Sequence, residues 1–141
     1  MRVVLDTTVL IRAHGKRRTL AMRLLGNLLK DPHTLILSNE IVVEVIRVLR
    51  YPKFQLLYGL SESELFEYGQ FLQSVADVVV LDSRYSAPLR DANDLAVLQT
   101  ADRGDALCTS DRDFYDPAVI SFCGARGIGV CDEVSLLARL T

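Results

Sequence analysis

Residues 3–11 read VVLDTTVLI, which sets Asp6 in an apolar run of the kind that forms a buried strand. A carboxylate there costs several kcal/mol unless it is paired, hydrated or bound to a cation. Other acids stand at comparable places: Glu44 one turn into NEIVVEVIRVLR, Asp94 in RDANDLAVLQTA, and Asp111 and Asp113 just after the apolar run in ALCTSDRDF. Two ionised carboxylates about 5 Å apart repel by roughly 3 kcal/mol at an effective dielectric near 20. Gathering four of them therefore calls for a cation or shared protons. All-oxygen ligands without a His or Cys set suit Mg²⁺ or Mn²⁺ rather than Zn²⁺. Mg²⁺ held by a few carboxylates keeps waters and leaves room for a phosphate oxygen. The chemistry that follows is hydrolysis or transfer at a phosphodiester.

Each acid also has a plain structural reading. Asp6 can cap the turn after a strand, and Asp111 or Asp113 can start one. Glu44 can pair with Arg47 three residues on. Asp91, in D-x-x-D before an apolar run, reads as the N-cap of a helix rather than as a ligand. His14 and His33 are isolated and carry no assigned role.

The elements that must position these groups alternate along the chain. Apolar, β-branched runs at 2–5, 34–37, 78–81, 106–109 and 128–131 are nearly continuous, as in parallel strands covered on both faces. Helical patterns occupy about 18–30, 39–50, 62–75, 92–103, 117–125 and 133–140, with 51–64 as the one long interruption. Pro52 is expected to end one helix and Ser61 to cap the next. The pattern predicts a single domain over 1–141, a three-layer α/β/α fold on a mostly parallel sheet of about five strands. In such a fold the ligand site lies beyond the carboxyl ends of the strands. Asp6 and Asp111 share that edge if their strands are parallel neighbours. Asp94, in the first turn of a following helix, begins there too. At 100° per residue, Glu44 falls on the margin of the face formed by Ile41, Val45, Val48 and Leu49, beside Val48 and Arg47.

Composition sets bounds. The 141 residues are half hydrophobic and carry a net charge of −2, against the strongly basic balance of a non-specific nucleic-acid binder. Local basic groups exist at Lys16–Arg18, at Arg47, Arg50 and Lys53, and at Arg84 and Arg90, each a solvated face or a rim for phosphate backbone. Three cysteines without CxxC spacing, two of them in apolar runs, read as buried thiols, not as a disulfide framework or zinc knot. No run is long enough to span a bilayer and no signal-peptide pattern opens the chain, so a cytoplasmic protein with no membrane partner is expected.

The four acidic pieces, LDTTVLI, SNEIVVEVIRVL, RDANDLAVLQTA and ALCTSDRDF, resemble in content and order the PIN domain (PilT N-terminus) nucleases over essentially the whole chain. Chain length and the R-D-x-x-D block are most similar to the VapC-type toxin ribonucleases of toxin–antitoxin pairs. The resemblance implies a Mg²⁺- or Mn²⁺-dependent endoribonuclease acting on RNA, often a homodimer, held inactive by a cognate antitoxin. By the same resemblance Asp6, Glu44, Asp94 and Asp111 form the acidic quartet, Asp113 a further acidic position, and Thr109 the hydroxyl that orients the first acid. Thr8 departs from the pattern, standing where the family usually has Asn. On this reading Asp6, Asp94, Asp111 and Asp113 hold metal, Glu44 positions or deprotonates the attacking water, and Arg12, Arg47 or Arg90 contacts substrate phosphates. Two other classes compete. An aspartate-based phosphotransfer domain of the receiver kind would need an early acidic pair and a late lysine, and a phosphatase D-x-D, whereas Thr7 and Thr8 follow Asp6 and no lysine follows Lys53. A non-catalytic RNA- or partner-binding scaffold would not need the intact acids.

Overall fold

The computed structural model describes residues 1–141. Five strands, β1 (Arg2–Leu5), β2 (Thr34–Ser38), β3 (Asp77–Val79), β4 (Ala106–Cys108) and β5 (Gly129–Cys131), form one sheet in the order β3-β2-β1-β4-β5. Every pairing is parallel. Val3, Val4, Leu5, Leu35, Ile36, Leu37, Ala106, Leu107 and Cys108 are all buried, so the three central strands are covered on both faces, as their unbroken apolar runs require. The helices are α1 (Thr7–Leu10), α2 (Leu20–Leu28), α3 (Asn39–Leu49), α4 (Pro52–Tyr58), α5 (Glu62–Val75), α6 (Ala92–Ala101), α7 (Pro117–Ala125) and α8 (Glu133–Leu140), with a 3₁₀ turn at Arg112–Tyr115. They complete the three-layer α/β/α arrangement, α6 lying across β1, β2 and β4 with α3 beside it.

Register places the chemistry. β1 pairs with β4 so that Leu5 faces Cys108, which brings Asp6 and Thr109 to adjacent positions at one edge. The Asp6 N–H donates to the Cys108 carbonyl at 3.1 Å and extends the pairing by one bond. Strand order reverses between β1 and β4, the kind of point where a crevice opens beyond a parallel sheet.

Several boundaries differ from the sequence expectation, each for a local reason. α2 starts at Leu20 because Thr19 accepts from the Met22 N–H as its N-cap. β3 stops at Val79, and Val80 is 86% exposed beyond the sheet. Segment 51–64 is not an interruption. Pro52 is the first residue of α4 rather than the stop of α3, which ends at Leu49 with Arg50 as its cap. Gly59, in the left-handed region at φ 60°, ends α4. Ser61 then caps α5 in a reciprocal box with Glu64. No helix is long and apolar enough to cross a membrane.

At Gly104, between α6 and β4, a Cβ would stand 2.6 Å from Ile36 Cδ1 and 2.8 Å from the Arg2 carbonyl oxygen. Backbone cannot give way as a side-chain tip can. Gly104→Ala is therefore expected to lower stability by about 2 kcal/mol, read by urea unfolding; a change within about 0.5 kcal/mol would contradict so close an approach.

Candidate active site

Asp6 closes β1 and opens α1. Its Oδ1 accepts from the Thr8 N–H at 2.6 Å, the Thr8 hydroxyl at 2.5 Å and, more weakly, the Val9 N–H at 3.4 Å. Its Oδ2 accepts from the Thr109 hydroxyl at 2.5 Å. The carboxylate is thus both a turn cap and a held group, with Oδ1 saturated and acceptor capacity left on Oδ2. Only 2% of the residue is exposed, and burial pushes its carboxyl above the usual range, against the lowering effect of Thr109, Thr8 and Val9.

Thr8 replaces the expected amide with a hydroxyl that works in both directions. It donates to Asp6 and accepts from the Ser110 hydroxyl at 3.2 Å. Thr109 likewise accepts from the Asp111 N–H at 2.9 Å, and its own carbonyl accepts from the Tyr115 hydroxyl at 2.7 Å. One chain of hydroxyls thereby joins the ends of β1 and β4. Sequence reasoning missed Ser110 and Tyr115. Ser110 was legible as the residue between two already chosen, whereas nothing local marks Tyr115.

Asp91 is the N-cap of α6, accepting from the Asn93 and Asp94 N–H groups at 2.8 and 3.1 Å. That leaves the Asp94 side chain free. Asp111 caps the 3₁₀ turn by accepting from the Asp113 N–H at 3.0 Å. Asp94, Asp111 and Asp113 each offer an oxygen within 4.8 Å of the others. Asp6 and Glu44 lie outside that triplet but line the same cavity of about 480 Å³. All five acids singled out from the sequence therefore meet at one place. Burial and the neighbouring carboxylates, Asp111 first, then Asp91, Asp113 and Asp6, raise Asp94 to about 7. A divalent cation fits this donor set: three close oxygens, and a charge repulsion that a cation relieves.

Glu44 sits where α3 meets the cavity, its side chain 13% exposed. Arg47 grips it, Nη2 reaching Oε1 at 2.7 Å and Nε reaching Oε2 at 2.9 Å. Glu44 thus makes the ion pair and lines the cavity as well. Arg47 is held in turn by the Tyr51 hydroxyl at 2.5 Å. Of the three arginines proposed for phosphate contact, Arg12 is instead tied to Glu133 and to the Thr8 carbonyl, and Arg47 to Glu44. Arg90 is exposed and forms no ion pair. The Arg12–Glu133 pair spans 121 residues, and no local pattern announces it.

A family model described as PIN domain matches residues 3–120. No curated protein matches the chain. Among solved structures it is similar to VapBC2 from Rickettsia felis, determined bound to a DNA fragment from their promoter, with a TM-score of 0.61 at 14% identity, covering 94% of this chain and 98% of that one. At that identity the likeness shows the fold.

Because Asp94 holds its proton to about pH 7 in the folded chain and releases it near its ordinary value when unfolded, the metal-free protein loses stability as pH rises from about 4 to about 7. Asp94→Asn removes that loss, offset slightly by a weaker interaction with the α6 N-terminus. After solvent screening it is expected to stabilise the metal-free protein by about 1–2 kcal/mol near pH 8 and by nothing near pH 4. Urea unfolding in chelator at both pH values checks this, and equal stability at the higher pH would show that the acids are not crowded.

Proposed function

The chain belongs to the PIN domain family, and from that premise we propose that it is a divalent-cation-dependent endoribonuclease, the toxin half of a toxin–antitoxin pair. The observation that carries this reading is the convergence of Asp6, Glu44, Asp94, Asp111 and Asp113 on one cavity at the β1/β4 edge. Burial and the repulsion of its neighbours together hold a proton on Asp94 near pH 7, and a set of carboxylates so placed suits a cation.

Asp94, Asp111 and Asp113 would hold the ion, with Asp6 Oδ2 adding charge from the sheet side. Mg²⁺ and Mn²⁺ both suit the donors. When bound, such a cation supplies Lewis-acid polarisation of the phosphodiester and activation of water. Glu44, fixed by Arg47, keeps one acceptor position on Oε1 with which to orient an attacking water or take its proton. Thr8 and Thr109 keep Asp6 from turning, so that the carboxylate is already set before substrate arrives. Arg90, exposed and unpaired just before α6, is the remaining candidate of the three arginines for a substrate phosphate.

The likeness to VapBC2 supports a cognate antitoxin as protein partner, and RNA as substrate and a homodimer complete the proposal. Cleavage of a labelled single-stranded RNA by wild type and Asp94→Asn, each with Mg²⁺, Mn²⁺ or chelator, tests the nuclease part. Wild type is expected to cut only with metal, and the variant to be slower by roughly 100-fold or more while remaining folded. Equal cutting by both proteins would assign the activity to a contaminant. Metal-dependent cutting without growth arrest on expression would keep the nuclease and remove the toxin.

A further inference from the structure

Cys108 and Cys131 stand opposite one another in the pairing of β4 with β5. In-register partners on neighbouring parallel strands lie about 4.8 Å apart and send their side chains to the same face of the sheet. That separation falls within the roughly 4.4–6.8 Å that a disulfide bridges. The two thiols already meet. Cys131 accepts from the Cys108 thiol, and its own Sγ reaches the Leu107 carbonyl on β4 at 3.8 Å. Cys108 is fully buried, as the apolar run around it requires. Cys131 is only half-buried and lines an open cavity of about 480 Å³ with Thr109, Ser110, Arg112 and Ser135. A solute the size of hydrogen peroxide therefore reaches one sulfur and not the other. The hydrogen bond from Cys108 holds the Cys131 thiol below its usual range, with help from the Arg139 guanidinium and against burial.

We propose that Cys131 and Cys108 form a redox site in which a hydroperoxide links the two sulfurs, and that the resulting disulfide weakens cation binding in the acidic cavity. The first half stands on the thiol geometry alone, whereas the second rests on the cation reading above and names its regulation. Cys131, as thiolate, attacks the peroxide O–O bond, keeps one oxygen as sulfenic acid and releases the other as hydroxide. The Cys108 sulfur then attacks the Cys131 sulfur, and the displaced hydroxyl leaves with the Cys108 proton as water. Two electrons pass from the sulfur pair to one peroxide. The third cysteine, Cys123, is buried in α7, faces no other thiol and takes no part. The link to the acids runs through Thr109, which follows Cys108. Its N–H donates to the Cys131 carbonyl at 3.0 Å, and its hydroxyl holds Asp6 Oδ2 at 2.5 Å. The Asp6 N–H in turn donates to the Cys108 carbonyl at 3.1 Å. Drawing the sulfurs from contact to a bond of about 2 Å moves β4 against β5 at this pair, and Thr109 carries the displacement to Asp6.

The test treats the full chain, in chelator, with hydrogen peroxide that is removed before each readout. Free thiols are expected to fall from three to one in wild type, with peptide mapping placing the bond between Cys108 and Cys131 and a non-reducing denaturing gel showing no cross-linked chains. Cys123→Ala is expected to lose the same pair of thiols, and Cys131→Ser to lose none. Cys108→Ala has no second sulfur to close the bond and is expected to hold Cys131 as a sulfenic acid that dimedone captures. Thermal melts confirm that each variant is folded, and their midpoints are then read with Mn²⁺ and with chelator. Oxidation is expected to shrink the gain from Mn²⁺ by roughly twofold or more in wild type, reversibly with dithiothreitol, and to leave the gain of Cys131→Ser unchanged. Three free thiols after peroxide, or thiol loss in Cys131→Ser equal to that in wild type, overturns the redox site. A disulfide with an undiminished Mn²⁺ gain overturns its link to the cavity. Reduced wild type with no Mn²⁺ gain at all overturns the cation reading and the link with it, while the thiol count still decides the redox site.

Discussion

Mutual repulsion among carboxylates is the constraint on which the rest of this structure turns. Asp94 holds a proton to about pH 7 because its cavity is partly desolvated and because Asp111, Asp91, Asp113 and Asp6 crowd it there. A chain free to relax would spread these groups apart. The sheet prevents it. β1 and β4 are buried on both faces and paired in fixed register, so the residues that follow them, Asp6 and Asp111, have no freedom to separate. Helix starts offset part of the cost. Asp6, Asp91 and Asp111 each accept backbone N–H groups at the beginning of a helical turn, and Asp94 lies in the first turn of α6. The fold thus assembles negative charge with rigid strands and tempers it with backbone donors, leaving a deficit that a cation would relieve.

Much of this was legible in the sequence because it is local. An acid after an apolar run marks the carboxyl end of a strand and the alternation of elements marks a parallel sheet, so Asp6 and Asp111 share an edge once β1 and β4 are neighbours, a relation that the pairing of those strands supplies. D-x-x-D separated the cap, Asp91, from the free carboxylate, Asp94. For Asp6 the cap reading and the ligand reading do not exclude one another. A carboxylate has four acceptor sites, and Oδ1 can cap α1 while Oδ2 retains capacity toward the cavity.

What escaped has a physical reason as well. α4 is seven residues long and buries nothing completely, so periodicity says little, although Pro52 at its first position and Gly59 at its end were available signals. α1 is four residues long, barely one helical turn, too short for a repeat to show. Arg12 looked free because its partner, Glu133, comes from the other end of the chain. Long-range pairings of that kind are decided by topology, and they removed Arg12 from the set of cations available to a substrate. The same topology placed Phe54 on the cavity wall, giving a helix that looked like a linker a surface contiguous with the chemistry.

The most direct test of a cation-seeking acidic cavity is the thermal unfolding midpoint near pH 8, with millimolar Mn²⁺ and with chelator, for wild type and Asp94→Asn. A ligand that binds only the folded state raises the midpoint in proportion to how far its concentration exceeds its dissociation constant. Wild type is expected to gain several degrees with Mn²⁺, and Asp94→Asn, already relieved of repulsion and short of one ligand, to start higher and gain far less. An identical midpoint for wild type with and without Mn²⁺ would contradict the account, leaving five carboxylates gathered with nothing to hold.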